Sequence, residues 1–149
     1  MSSNPPVRRT DTPTSFAPAV EEFLARPIPA PLAMINPSGS PQQTIMWYRY
    51  ENGYFLFTTT TTRVKFRNYQ RDPRGSLAVL DPENMYRWVI VNGSFSIDDR
   101  DPVQFYKDLA EHYLRGEALA SWKHNTTFEN RTVLRLTPTR IRTMGFPTG

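Results

Sequence analysis

An asparagine-glycine pair at positions 52 and 53 constrains the fold of this chain more than any other feature of its sequence. Residues 43–50 before the pair alternate and are rich in aromatic side chains, and residues 54–59 after it form a second run typical of a strand. Asn-Gly readily adopts the positive φ angles of the tight turn that joins antiparallel strands. The sequence therefore predicts a β-hairpin at this point.

The rest of the chain adds further short strands and a few helices. Helices are predicted over 16–24, 64–70 and, from an N-cap at Asp101, up to Gly116, whereas 118–130 gives no clear pattern. Strands are predicted over 32–35, 75–80, 87–97 with a bulge at Asn92-Gly93, 132–136 and, as a last edge strand, 141–144. Short strands leave exposed edges unless the sheet closes. We therefore expect a mainly β fold, an antiparallel barrel with peripheral helices.

Composition limits the organisation and the possible partners of the chain. Its 149 residues suit one domain over 16–149, and the proline-containing residues 1–15 suit a flexible N-terminal arm. The sequence has no cysteine, which excludes disulfides and thiolate chemistry and fits a cytoplasmic location. No apolar run approaches the ~20 residues of a membrane helix, so no membrane partner is expected. A net charge of +4 favours anionic partners.

The segment 57–73 has the residue types that a bound phosphate requires. Five threonines, 58–62, precede the basic residues Arg63, Lys65, Arg67 and Arg71. Hydroxyls and amides replace the water around a phosphate, and cations offset its charge. Threonine is also a common strand residue, and a basic run is often only a solvated face. Both interpretations remain open from spacing alone.

Aromatic side chains precede the hairpin. Met46, Trp47 and Tyr48 are expected to lie beside the threonines, where a planar ring could follow the strand, although core packing explains such aromatics equally well. Trp88 has the same two interpretations. His112 and His124 are the only histidines, and no metal-ligand spacing, Gly-x-Ser-x-Gly or phosphate-loop motif occurs.

The order of several segments resembles the pyridoxamine 5'-phosphate oxidase-like split-barrel proteins, and among them the actinobacterial flavin/deazaflavin oxidoreductases. The most specific segment is Lys65-Phe66-Arg67-Asn68 followed by Arg71-Asp72-Pro73-Arg74. The resemblance covers about residues 17–144. The other segments that carry it are 23–27, 31–41, 46–48, 54–59 and 91–93.

The resemblance implies a homodimer of six-stranded split barrels with a cofactor site at the dimer interface, holding F420 as first choice or FMN. Arg63 and Lys65 match ligands of the cofactor phosphate, and Thr58 matches a hydroxyl near the phosphate or ribityl chain. Trp88 matches a residue that faces the ring, often from the second subunit. Arg67 and Asn68 match a family signature that is partly structural. The strand along which the ring lies corresponds to Gln42, Thr44, Met46 and Trp47.

The implied activity is hydride transfer to or from a small electron-poor organic substrate, with the cofactor carrying the hydride. Vitamin B6 oxidation is not favoured, because the chain has Arg63-Val64-Lys65 in place of the Ser-Arg-Lys run and lacks the C-terminal Arg-x-His motif. The acidic tail of F420 would suit the basic residues 67, 71 and 74. Two alternatives are a barrel that binds nucleic acid through basic and aromatic side chains, and a non-catalytic flavin- or F420-binding protein.

Overall fold

The structure, a computed structural model, describes residues 16–147. The predicted N-terminal arm at 1–15 lies outside the described residues. Four helices and seven strands occur in the described part: α1 (Pro18–Leu24), β1 (Ala30–Ile35), β2 (Pro41–Met46), β3 (Arg49–Glu51), β4 (Tyr54–Thr60), α2 (Val64–Arg71), β5 (Arg74–Leu80), β6 (Trp88–Asp98), α3 (Pro102–Tyr113), α4 (Gly116–Asn125) and β7 (Arg131–Met144).

The strands form one antiparallel sheet in the order β2-β1-β5-β6-β7-β4-β3. β2 and β3 lie at opposite edges of this sheet, although only Trp47 and Tyr48 separate them along the chain. Three residue steps span at most about 10 Å. The sheet must therefore curl until its two edges approach each other, which confirms the predicted mainly β fold, a curled antiparallel sheet of the split-barrel type with peripheral helices.

The predicted hairpin is present, but the strand before it is interrupted. Asn52 and Gly53 adopt φ angles of 48° and 84°, and Glu51 pairs with Tyr54. The expected strand over 43–50 is two strands, because residues up to Met46 pair with β1 while residues from Arg49 pair with β4. The described residues contain seven strands, whereas the family resemblance implied six.

The two strands predicted near the C-terminus are one strand, β7, which lies in the middle of the sheet and not at its edge. Proline was expected to end the first of them, because it cannot donate to a strand ladder. Pro138 instead lies opposite Gly93, where the β6–β7 register shifts and Thr139 is the extra residue. The predicted bulge at Asn92-Gly93 is thus confirmed, and it lets the strand continue through a proline.

The helices lie outside the curled sheet. The predicted N-cap of α3 is confirmed, since the Asp101 carboxylate accepts hydrogen bonds from the backbone N–H groups of Val103 and Gln104 at 2.9 and 3.3 Å. Sequence reasoning missed α4, which buries no residue fully and so lacks a strong apolar pattern. None of the helices in the described residues is long and apolar enough to cross a membrane. The barrel core includes Phe55, Phe57, Leu77, Val91, Phe95 and Leu136.

Candidate functional site

A groove of about 290 Å³, called the main groove below, lies between the end of β2, the start of α2 and the helices α3 and α4. Five of the ten residues predicted from the sequence line it: Met46, Trp47, Thr58, Arg63 and Lys65. Its other lining residues are Ile45, Thr59, Tyr106, Leu109, Trp122 and Arg131. The structure thus brings together residues that are up to 86 positions apart in the sequence.

Two of the predicted cations lie at the N-terminus of α2. Arg63 is the N-cap residue and Lys65 is in the first turn, and no side chain caps this end of the helix. A helix N-terminus presents free N–H groups and a positive partial charge. Burial lowers the pKa of Lys65, which is 9% exposed, and the nearby Arg63 lowers it further. An anion bound here would relieve the repulsion and accept hydrogen bonds from the helix.

Arg131, at the start of β7, is a third cation of the main groove that the sequence analysis missed. Its strand position is directly opposite Thr60, so its place beside Arg63 depends on the β4–β7 register. The guanidinium lies 4.0 Å from the ring centroid of Tyr106, and its Nε is buried without a hydrogen-bond partner among the described residues. Burial lowers the pKa of Arg131, which Tyr106 partly offsets and Arg63 reinforces.

No carboxylate neutralises these three cations within residues 16–147. The ion pairs of that part of the chain involve neither Arg63, Lys65 nor Arg131, and the residues that line the main groove include no Asp or Glu. Cations that are partly removed from water without a counterion are costly. The lining of the main groove is therefore suited to an anion.

The threonines differ from the pattern expected of them. Thr58 donates its hydroxyl proton to the carbonyl oxygen of Thr132 at 3.1 Å, so it can offer a ligand only an acceptor. Thr59 lies in β4, as the predicted strand over 54–59 implied, and it also lines the groove. It is 2% exposed and has a hydroxyl without a partner in the described part of the chain. Thr59 is therefore the better candidate to donate a hydrogen bond to a ligand.

The predicted β2 residues Gln42 and Thr44 do not line the main groove, but both carry buried polar atoms in need of a partner. The Gln42 Oε1 and the Thr44 Oγ1 have no hydrogen-bond partner among the described residues. Gln42 lines an adjoining cavity of about 400 Å³ together with Arg63, Lys65 and Arg67, and this is called the adjoining cavity below. Arg63 and Lys65 line both the main groove and the adjoining cavity.

Tyr113 holds the ring of Trp47 in place. The two rings are stacked, with centroids 5.1 Å apart and an interplanar angle of 12°. The hydroxyl of Tyr113 accepts a hydrogen bond from the Tyr48 N–H at 3.1 Å and lies 3.1 Å from the carbonyl oxygen of Ile28. The interruption between β2 and β3 is therefore anchored to α3, and the indole forms a fixed part of the groove wall.

The remaining predicted residues have separate places. Asn68 is buried, donates to Asn36 Oδ1 at 3.2 Å and accepts from Arg71 at 3.1 Å, so it joins α2 to the β1–β2 turn. Arg67 is exposed in the adjoining cavity. Trp88 begins β6, ten residues before Asp98, which lies on a strand position next to the groove. Trp88 is not among the residues that line the main groove.

Aromatic side chains form the wall opposite α2. Tyr106 packs edge-on against Trp122 with ring centroids 4.9 Å apart, and Phe128 contacts both rings. Tyr106 belongs to α3 and Trp122 to α4. In the sequence this wall appears only as three aromatic residues, Tyr106, Trp122 and Phe128. The last two lie in the segment 118–130, which gave no clear pattern.

A family model described as pyridoxamine 5'-phosphate oxidase matches residues 16–145, and the chain therefore belongs to that family. An F420 reductase of known structure is 30% identical to the chain, with a TM-score of 0.66, and the alignment covers 82% of this chain and 94% of that one. No curated protein sequence matches the chain.

Two more distant structures show the same fold. A conserved hypothetical protein from Mycobacterium tuberculosis is 24% identical with a TM-score of 0.68, and the alignment covers 93% of this chain and 89% of that one. The heme storage protein HutZ from Vibrio cholerae is 17% identical with a TM-score of 0.65, and the alignment covers 89% and 97% of the two chains.

Proposed function

We propose that this protein is an oxidoreductase that uses F420, or else FMN, to transfer hydride to or from a small electron-poor organic substrate. The observation that carries the proposal is the set of cations without carboxylate partners at the N-terminus of α2, next to buried polar atoms without hydrogen-bond partners. Cofactors of this kind have a phosphate, a hydroxylated chain and a planar ring. The groove offers cations for the phosphate, buried polar atoms for the hydroxylated chain, and apolar and aromatic side chains for the ring.

Arg63, Lys65 and the free N–H groups of α2 would hold the phosphate. Thr59 Oγ1, Gln42 Oε1 and Thr44 Oγ1 would serve the hydroxylated chain and the polar edge of the ring, because each is buried and has no other partner among the described residues. Met46 and Trp47 would contact the ring. These assignments would relieve both the unsatisfied hydrogen-bonding groups and the uncompensated charge.

When bound, the flavin or deazaflavin would supply the hydride chemistry itself. The chain would bind and orient the cofactor and exclude water. Trp47, fixed by its stack on Tyr113, would define the plane against which the ring rests. Leu109 and Trp122 would cover the groove from the helix side and limit access of water.

F420 is the first choice for two reasons. The F420 reductase is 30% identical over most of both chains, and Arg67 extends the positive charge into the adjoining cavity, where an acidic tail could follow. Arg71 and Arg74 contribute less, because Arg71 is bonded to the Ile35 carbonyl oxygen and Asn68, and Arg74 is paired with Asp72. The heme storage protein HutZ is only 17% identical to the chain, and such a likeness indicates a shared fold alone.

A homodimer completes the proposal. Leu80, Trp88 and Met144 are neighbours across β5, β6 and β7, and Leu80 and Met144 are 50% and 45% exposed. Met85 and Tyr86, in the turn before Trp88, are 71% and 70% exposed. Such a patch of large apolar side chains is typical of an interface. Burying it against a second copy would allow Trp88 to reach the partner's groove.

Titration of F420 and of FMN into the protein, followed by fluorescence, tests the proposal. Lys65→Ala and Arg63→Ala should each weaken binding by ~1.5–3 kcal/mol through loss of a charge-assisted hydrogen bond. Lys107→Ala is the matched control, because Lys107 is an exposed cation of α3 outside the groove lining. Equal affinities in all four proteins, or no binding of either cofactor, would reject the proposal. Turnover of reduced F420 with an acceptor distinguishes an enzyme from a protein that only binds the cofactor.

A further inference from the structure

The main groove has two sides with different chemistry. Arg63 and Lys65 lie on the α2 side and are shared with the adjoining cavity, whereas Arg131 lines the main groove alone. Arg131 lies on the side of the aromatic wall, with its guanidinium against the ring of Tyr106. A ligand phosphate between the two cavities would use Arg63 and Lys65 and would leave Arg131 without a counterion.

Contacts around Arg131 restrict where its charge can act. The guanidinium carbon lies 4.0 Å from the centroid of the Tyr106 ring, which limits its movement on that side, and Tyr106 is itself packed edge-on against Trp122. A guanidinium that lies over an aromatic face directs its N–H groups away from the ring, where a carboxylate can accept them. The buried Nε of Arg131 has no hydrogen-bond partner in residues 16–147, so that edge has unused donor capacity.

The surroundings of this donor are apolar and planar. Leu109 and Trp122 line the groove next to it, and α4, which supplies Trp122, buries no residue of its own in the core. A helix that contributes little to the core, yet presents an indole to a cavity, forms a wall suited to a flat apolar ligand. The combination of one fixed guanidinium and flat apolar surfaces is selective for an acid with an unsaturated or aromatic body.

We infer that Arg131, together with Tyr106 and Trp122, forms a substrate subsite for a planar organic acid, and that Arg131 binds its carboxylate. The assignment of this acid as a substrate rests on the proposed function, which places the cofactor beside the acid. The subsite itself is a property of the chain and is measurable without the cofactor. Such a subsite makes the net charge of the substrate a determinant of specificity.

The test compares cinnamate with cinnamamide, two planar probes of the same shape, of which only the first carries a carboxylate. Their binding to the full-length protein is measured by calorimetry, without cofactor and with F420 or FMN present. Cinnamate should bind about tenfold more tightly than cinnamamide, the ratio expected for a charge-assisted hydrogen bond. Arg131→Gln should remove this preference, Arg131→Lys should keep part of it, and Lys107→Gln should keep all of it.

Three results would overturn the inference: no binding of cinnamate, equal binding of the two probes, or the same preference in the Arg131→Gln protein. A fourth concerns the cofactor. If Arg131→Gln weakens F420 or FMN binding as much as Lys65→Ala does, Arg131 belongs to the phosphate site and the inference fails while the proposed function stands. Conversely, if neither cofactor binds but the probe preference depends on Arg131, the proposed function fails and the acid subsite remains. Trp122→Ala should weaken both probes alike, since it removes apolar contact without charge.

Discussion

Two clusters of basic side chains lie in this barrel, and they differ in whether carboxylates accompany them. In the paired cluster, defined as Glu51, Asp98, Arg100 and Arg135, Asp98 accepts from Arg135 at 2.9 Å and from Arg100 at 2.7 Å, and Arg100 also reaches Glu51 at 2.9 Å. These residues come from β3, β6, β7 and the loop after β6. The paired cluster therefore joins strands that lie far apart in the sequence.

The unpaired cluster, defined as Arg63, Lys65 and Arg131, has no carboxylate partner among residues 16–147. Both clusters contain buried or partly buried basic groups, although Arg63 itself is exposed. Their burial is tolerable in the paired cluster because hydrogen bonds and charges are satisfied. In the unpaired cluster the burial of Lys65 and Arg131 has no such compensation, and it lowers the pKa of both groups. The comparison predicts that the paired cluster contributes to stability, and it agrees with the proposal that the unpaired cluster binds an anion.

The largest expected effect comes from breaking the paired cluster. Asp98→Asn keeps the size of the side chain but leaves Arg135 and Arg100 without their shared carboxylate, and the side chain of Asp98 is fully buried. We expect the free energy of unfolding to fall by ~3–5 kcal/mol. Urea unfolding followed by circular dichroism measures this. A loss below ~1 kcal/mol would show that the paired cluster is not what distinguishes the two regions.

Lys65→Met should act in opposite directions on stability and on binding. It removes a buried cation but keeps most of its apolar length, so the free energy of unfolding should stay unchanged or rise by up to ~1 kcal/mol. Cofactor affinity should fall by ~1.5–3 kcal/mol. The same urea and fluorescence measurements apply, with Lys107→Met as the control. A substantial loss of stability in Lys65→Met would contradict the assignment of the unpaired cluster to binding.

The two clusters should also respond in different pH ranges. Burial alone would raise the pKa of Asp98, but bonds from Arg100 and Arg135 hold this pKa below its ordinary value of 3.8. The paired cluster therefore stabilises the fold above that value and loses its effect as the pH falls through the lowered pKa. The acid unfolding of Asp98→Asn should lack the loss of stability that protonation of Asp98 causes. An acid unfolding profile equal to that of the wild-type protein would contradict this role of Asp98.

Lys65 titrates at the other end of the scale. Because burial and Arg63 lower its pKa from 10.5, the unfolded chain binds more protons than the folded one between the lowered pKa and 10.5. The stability of the wild-type protein should therefore rise relative to that of Lys65→Met as the pH increases across that window. Urea unfolding of both proteins at about pH 8 and about pH 10.5 measures this difference; a constant difference would show that Lys65 is not strained by its surroundings.

The smallest expected effect concerns Arg67. It is exposed in the adjoining cavity, so its attraction to an acidic cofactor tail is weak and screened by salt. Arg67→Gln should weaken F420 binding by ~0.2–1 kcal/mol at low salt and leave FMN binding unchanged. Titrations at two salt concentrations measure it. Equal effects on both cofactors would place Arg67 at the phosphate and not at the tail.

The parts of the site that sequence reasoning identified are local ones. The Asn-Gly turn, the cations that follow the threonine run and the N-cap at Asp101 depend on a few neighbouring residues, and short-range preferences determine them. Arg63 and Lys65 share a groove with Met46 and Trp47 as expected. The family order, and not periodicity, supplied the choice between a phosphate site and a solvated basic face.

The parts that were missed depend on long-range pairing. Arg131 reaches the groove only because β7 pairs with β4 so that Arg131 lies opposite Thr60, and a shift of one residue would turn it to the other face. Trp122 lies on a helix with little apolar pattern. The hydroxyl of Thr58 is hydrogen-bonded to β7, whereas that of Thr59 has no partner among the described residues, and the sequence does not distinguish the two. Strand register and the occupancy of hydrogen-bonding groups are properties of the assembled sheet, and local sequence patterns do not determine them.

The opposite-edge arrangement of β2 and β3 has a consequence for motion. Each edge strand is hydrogen-bonded to one neighbour in the sheet, whereas β6 and β7 pair along 11 positions of their length. Opening the barrel along the line where the two edges meet breaks no ladder, so it is the least costly deformation of the sheet. Gln42, Thr44 and Met46 lie on one of those edges, so such an opening would displace the strand that carries them while the pairing of β6 with β7 stays intact.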